Sequence, residues 1–214
     1  GIFYMLLKLM RLFELNFFYF CISRYNFFYK RNKIKNTDFS EIKKSLQNKN
    51  IALVGNSHRL LRKINRIDIY DAVIRINIIP PKKIHRQVGK RTDFLFLQGS
   101  GGTHWLLEKN IPKVWLENAS SQTSNYAKGK IFHYPELWEK DLTKALKNNC
   151  PTAGVKSIHF LLKILKNPKI TLFGFDHKPG NWYKYNFNRL HDYKKEAKFF
   201  KSIVKRYKNI KYAL

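Results

Sequence analysis

Cysteine is nearly absent from this 214-residue chain: only Cys21 and Cys150 occur, and neither has neighbours at metal-ligand spacing. A disulfide framework is therefore excluded as the source of stability, and a reducing compartment is the natural expectation. Acid is scarce as well, with 14 Asp and Glu against 42 Lys and Arg, a net charge of +28. No Asp-x-Asp pair occurs, so a metal clamp of the kind such pairs build is not indicated. Long charge-free apolar runs are missing too. The greasiest stretch, from Ile2 to Ile22, is broken by Lys8, Arg11, Glu14 and Asn16, whereas a spanning helix wants about 20 apolar residues with few charges. That stretch also lacks the small-residue cleavage site of an exported leader. No internal repeat or low-complexity block occurs.

What the chain does contain is enough for one ordinary core. Hydrophobic residues at 44% and aromatics at 15% exclude a disordered chain. The positive charge attracts polyanions, but lysine is abundant everywhere, so charge alone discriminates little. Residues 1–35 differ from the rest. Their polar positions recur at about three-residue steps, which makes an amphipathic helix. Arg24, Lys30, Arg31, Lys33 and Lys35 follow, interleaved with Tyr25, Phe27, Phe28 and Tyr29. Bases and aromatics beside such a helix suit association with an anionic membrane surface; the same stripe also fits a first helix packed on the domain or used for self-association. Residues 36–214 then form the globular unit, opening on a linker and a short helix that Thr37 or Asp38 caps.

The most informative stretch is 51–97. Ile51-Ala52-Leu53-Val54 runs without alternation into Gly55-Asn56-Ser57, as a strand buried on both faces does. His58-Arg59-Leu60-Leu61 suits a helix start. Strand, polar turn and helix form the first unit of a nucleotide-binding α/β fold. Ala72-Val73-Ile74-Arg75-Ile76-Asn77 is a second strand ending on asparagine, and Val88-Gly89-Lys90-Arg91-Thr92-Asp93 turns the chain into a third, Phe94-Leu95-Phe96-Leu97. The glycine-rich 98–103 forms a loop and 113–116 a further strand. Residues 117–135 read as irregular, with Tyr126 and Tyr134 as base-stacking or lid groups, and 137–146 as a helix. Downstream, Pro151-Thr152-Ala153-Gly154 opens a helix with Val155, Ile158, Leu161, Leu162 and Leu165 on one face. Pro168 ends it, before the strand Ile170-Thr171-Leu172-Phe173-Gly174-Phe175-Asp176. Phe199, Phe200, Ile203, Val204 and Tyr207 mark the buried face of a last helix, begun by His191.

These residues together resemble glycosyltransferase family 29, the animal-type sialyltransferases. Ala52 to Ser57, Ile67-Asp68, Asp71, Val73 to Asn77 and Val88 to Asp93 resemble the long sialylmotif. Pro151 to Gly154 with Leu172-Phe173-Gly174-Phe175 resembles the short one. Gly180-Asn181-Trp182-Tyr183-Lys184-Tyr185 resembles the third motif, with Lys184 where the family has a phosphate-contacting histidine. His191 followed by Glu196 resembles the very short motif, whose histidine is the family's catalytic base. At five residues apart the two do not share a helical face, so Glu196 is expected to be a structural partner. The family's cystine is replaced by Ile51 and Asn167, a departure that fits a bacterial or otherwise intracellular enzyme; with the amphipathic segment, the expected location is the cytoplasmic face of a membrane, in a bacterium.

The resemblance implies a single Rossmann-like α/β domain, a GT-A-like variant with a mostly parallel twisted sheet and helices on both faces. It implies an inverting transfer of a sugar acid from a CMP-activated donor, CMP-sialic acid or alternatively CMP-Kdo, to a hydroxyl of a glycan acceptor. His191 and Lys184 are the expected catalytic residues. Asn56, Ser57, Asn77, Thr152, Ala153, Gly154, Trp182 and Tyr185 are expected to bind the nucleotide. No metal and no separate cofactor is implied. A basic nucleic-acid-binding module is the rival suggested by composition, but no signature of the usual modules occurs, and nucleic acid is not an expected partner.

Overall fold

A computed structural model describes residues 38–98, 113–117, 130–147, 150–177 and 191–213. Helix α1 (Ser40–Leu46) leads into strand β1 (Asn50–Val54), and the Asp38 carboxylate accepts from the Ser40 amide at its start, 2.8 Å. Two 3₁₀ helices, His58–Arg62 and Ile67–Ile69, precede β2 (Ala72–Ile76). A third, Lys82–Ile84, runs into the single turn α2 (His85–Val88) before β3 (Phe94–Gln98). Then come β4 (Lys113–Glu117), β5 (Lys130–His133), α3 (Glu136–Leu146), α4 (Ala153–Ile164) and β6 (Lys169–Phe173). Helix α5 (Tyr193–Arg206) and β7 (Ile210–Tyr212) complete the described chain.

The seven strands form one sheet in the order β5-β4-β3-β2-β1-β6-β7, and every pairing is parallel. The α/β fold expected from the sequence is therefore present, with helices on both faces. Central strand β1 is apolar and buried from Ile51 to Val54 because both its neighbours and both its faces are covered there: Val54 stands between Arg75 of β2 and Phe173 of β6. From β1 the chain steps one way through β2 and β3, and β6 to β7 steps the other way. Right-handed crossovers put connections of opposite step on opposite faces. The burial obeys this rule. Ile51 and Leu53 point into the core under α1, α3, α4 and α5, while Ala52 and Val54 meet Leu60, Ile67 and Val88 of the 3₁₀ and α2 side.

Two expectations need correction. Residues 117–135 are not irregular throughout, since Glu117 ends β4 and Lys130–His133 is strand β5. An edge strand pairs on one flank only, so four residues suffice and leave little pattern to read. Tyr134 is neither a lid nor an exposed stacking group. It is 8% exposed within the core, its hydroxyl hydrogen-bonded to His159 Nδ1 at 2.5 Å. Burial, with Lys163 assisting, pulls the His159 pKa down to about 4. Residues 58–62 form the expected short helix, but in 3₁₀ geometry.

Candidate active site

The direction of chain travel reverses between β1 and β6, and ligands of open α/β sheets sit at the carboxyl ends of strands at such a point. Here the backbones close to contact. Gly55 N–H donates to the Phe173 carbonyl at 2.7 Å and Ser57 N–H to the Gly174 carbonyl at 3.3 Å. A Cβ on Gly55 would lie 2.6 Å from the Gly174 oxygen, so glycine is required by the approach itself.

Around this floor Asn56 and the turn over Asn77 meet at one carbonyl. Asn56 Nδ2 donates to the Ile76 oxygen at 2.9 Å, and Ile78 N–H donates to the same oxygen at 2.7 Å, closing a three-residue turn over Asn77. Asn77 lies at φ 61°, a left-handed conformation that asparagine tolerates better than most side chains. Asn56 thus fastens the turn that carries Asn77. Ser57 is used differently. Its hydroxyl donates to Asp176 Oδ2 and accepts the Arg59 amide at 3.2 Å, capping the first 3₁₀ helix.

The second group of residues meets at the start of α4. Thr152 caps this helix, accepting the Val155 amide at 3.3 Å. Thr152 itself is held by Glu196 of α5, whose two oxygens accept the Thr152 N–H at 2.8 Å and its hydroxyl at 2.7 Å. Glu196 is 2% exposed, and burial pushes its pKa up while the Thr152 hydrogen bonds restrain the rise. The first N–H groups of a helix have no intrahelical partner. With Thr152 N–H given to Glu196, those of Ala153 and Gly154 are left to meet an anion.

His191 stands just before α5, ahead of its cap Asp192, and its Nδ1 lies 2.7 Å from the Cys150 carbonyl. A carbonyl only accepts, so Nδ1 carries the proton and the lone pair of the neutral ring is on Nε2. Hydrogen bonding to Cys150, through side chain and backbone, raises the imidazole pKa against the pull of burial, and Glu196 adds to the rise. His191 and Glu196 therefore grip one turn, residues 150–152, from two sides. The helical-face argument does not apply, because His191 precedes the helix; Glu196 is nonetheless the structural partner expected. Both groups share the same rim of the sheet: a Cβ on Gly154 would lie 3.0 Å from the Phe175 ring and 3.7 Å from Ile76 Cδ1.

Many other motif residues serve the scaffold. Arg75, 3% exposed, donates to the carbonyls of Val88 (2.7 Å), Gly89 (3.1 Å) and Arg91 (2.8 Å) and to Thr92 Oγ1 (3.1 Å). Burial brings its pKa down to about 10, with Asp68 and Asp93 opposing. Asp68 accepts the amides of Lys90 and Arg91, both at 2.9 Å, and Asp93 accepts the Val73 amide and the Arg91 guanidinium, both at 2.7 Å. Gly89, at φ +72°, leaves no room for a Cβ, which would lie 2.5 Å from Asp68. Sequence reasoning missed the contribution of the Cys150 carbonyl and of Asp176. No side-chain pattern announces a backbone acceptor, and Asp176 stood unremarked at the end of its motif. Lys184, Trp182 and Tyr185 lie outside the described residues.

Residues 15–133, more than half of the chain, match the sequence profile of glycosyltransferase family 29 (sialyltransferase). The crystal structure of a mammalian sialyltransferase superposes with a TM-score of 0.60 at 20% identity, over 83% of this chain and 73% of that one. A mammalian sialyltransferase in complex with Gal-beta-1-3GalNAc-ortho-nitrophenol gives 0.57 at 19%, with the same coverage. At such identity the likeness establishes the fold. No curated protein matches the chain.

Proposed function

The chain belongs to glycosyltransferase family 29, the sialyltransferases, and on that premise we propose that His191 is its catalytic base. The protein is a CMP-sugar-dependent glycosyltransferase that moves a sialic acid to a hydroxyl of a glycan acceptor; Kdo transfer and nucleic-acid binding are not favoured. In the proposed step His191 Nε2 takes the proton of the acceptor hydroxyl as its oxygen attacks the anomeric carbon. The bond from that carbon to the CMP phosphate breaks, with inversion, and CMP departs with the electron pair. The N–H groups of Ala153 and Gly154 at the positive end of α4 stabilise that phosphate. Asn77 contacts the nucleotide and Asn56 sets its turn. Lys184, Trp182 and Tyr185 complete the donor side in this reading.

The observation that carries the proposal is the hydrogen bond from His191 Nδ1 to the Cys150 carbonyl. It selects the tautomer a base needs and ties the base to the turn that receives the donor. Metal independence is part of the proposal, resting on the missing Asp-x-Asp. So is membrane association through residues 1–35; among the described residues no helix is long and apolar enough to cross a membrane. The test is CMP release from CMP-sialic acid, with and without EDTA. Release dependent on a glycan acceptor and insensitive to EDTA is expected. Strict dependence on added Mg²⁺ or Mn²⁺, or release from CMP-Kdo alone, would overturn it.

A further inference from the structure

Helix α5 presents charge of one sign to solvent. Its exposed positions are Lys194, Lys195, Lys198, Lys201, Lys205 and Arg206, together with Ser202. Its only acid, Glu196, is turned inward onto Thr152. The outer face continues onto Lys208 and Lys211, exposed beside and along β7, the edge strand of the sheet. One of these cations is tied locally, since Lys195 Nζ reaches the Lys147 carbonyl at 2.7 Å and Asp192 at 3.2 Å. The others on α5 stand along about 18 Å of helix at 1.5 Å per residue.

Helix α3 shows that this is not a mere consequence of a lysine-rich composition. Its exposed charges alternate in sign, Glu136 and Asp141 against Lys140 and Lys144, with Lys140 paired to Glu136 at 2.9 Å. Two helices on the same side of one sheet thus differ in kind, and the segregation on α5 is local. Soluble surfaces ordinarily intersperse both signs.

The shape of the charge selects its partner. A free phosphate needs donors converging on a point, whereas these cations are spread along a convex helix. Single-stranded nucleic acid needs exposed rings to stack on, and sequence-specific duplex readout needs side chains that pair with base edges. Non-specific duplex binding, which needs only phosphate contacts, is the outcome that an oligonucleotide competitor tests. The outer face of α5 is lysine with one arginine and one serine, and among the described residues the exposed large hydrophobics, Ile64, Ile69 and Leu137, lie elsewhere. A plane of anions matches it. We propose that the outer face of α5 docks on an anionic lipid surface, electrostatically and without apolar insertion, next to the end of the helix at which His191 stands. The proposal does not depend on His191 being the base.

The test uses the full chain and sedimentation with phosphatidylcholine vesicles, with and without phosphatidylglycerol. Lys198→Glu, Lys201→Glu and Lys205→Glu combined should lower affinity for the anionic vesicles by at least about tenfold and flatten its salt dependence. Lys140→Glu with Lys144→Glu on α3 should change it less than about twofold. Equal loss in the two variants would reduce the effect to net charge and overturn the proposal. So would unchanged vesicle affinity in the α5 variant, or wild-type protein that prefers an oligonucleotide to the anionic vesicles. Acetylation footprinting of the wild-type chain decides the matter even if the variant fails to fold. Vesicles should protect Lys198, Lys201 and Lys205 over Lys140 and Lys144, and equal labelling would overturn it. CMP affinity of a folded α5 variant should be unchanged, so a failure here leaves the donor-site reading standing.

Discussion

The two faces of the sheet are stabilised by different physics. Under the long helices lies an apolar core to which 25 buried residues contribute among those described, with rings such as Phe200 and Phe175 at 5.0 Å. On the other face the apolar cluster numbers seven buried residues among those described. There the guanidiniums of Arg75 and Arg91 and the carboxylates of Asp68 and Asp93 hold the turns by hydrogen bonds. Apolar packing is non-directional and forgives changes of shape. Hydrogen-bonded charge is directional, and a buried group that loses its partner costs about 1–3 kcal/mol. The polar face should therefore be the less tolerant of conservative change.

The sharpest way to break this comparison is Arg75→Lys. Lysine keeps the charge but loses the planar fork that serves three carbonyls and a hydroxyl at once. We expect a loss of about 3–5 kcal/mol in chemical denaturation; a loss under about 1 kcal/mol would show that the polar face is packed, not hydrogen-bonded, into place. On the other face Leu161→Met, at a residue 1% exposed, should cost less than about 1.5 kcal/mol because the swap conserves volume. Reversal of that order would contradict the account.

A smaller effect is expected where the faces meet the site. The folded-state pKa of Glu196 lies above its ordinary 4.5 because of burial, so the folded state binds the proton more tightly than the unfolded one. Its contribution to stability is fully present below pH 4.5 and is lost as pH rises through the folded pKa. Glu196→Gln should flatten the fall in melting temperature on raising pH from about 4 to 7, while costing about 1 kcal/mol through the weaker hold on Thr152. An unaltered pH profile would remove Glu196 from that role.

The sequence made the sheet legible because buried parallel strands are continuous apolar runs. Ile51 to Val54, Ala72 to Ile76, Phe94 to Leu97 and Ile170 to Phe173 were all readable, and so was the amphipathic stripe of α5 from Phe199 to Tyr207. Strand β5 was not, because four residues at an edge carry too little pattern. The motif resemblance placed Asn56, Asn77, Thr152 and His191 in one site region but did not separate their work. Ser57 is expected at the nucleotide, and the structure adds that its hydroxyl is held between Asp176 and the Arg59 amide. Arg75 and Asp68 enter only as motif residues in the sequence, and the structure shows them to be braces. Such distinctions depend on which backbone carbonyls and amides lie nearby, and side-chain identity does not carry that information.

The measurement that bears most directly on the central claim is the pH dependence of turnover in the wild type and in His191→Ala. The base must be neutral to act, and its pKa is raised above the ordinary 6.5. The wild-type kcat/KM should therefore climb with pH through a midpoint above 6.5. In the variant that limb should vanish and kcat should fall by at least about 100-fold, with CMP affinity and Tm nearly unchanged. Near-normal turnover in the variant, or a collapse of its stability, would contradict the assignment of His191 as the base.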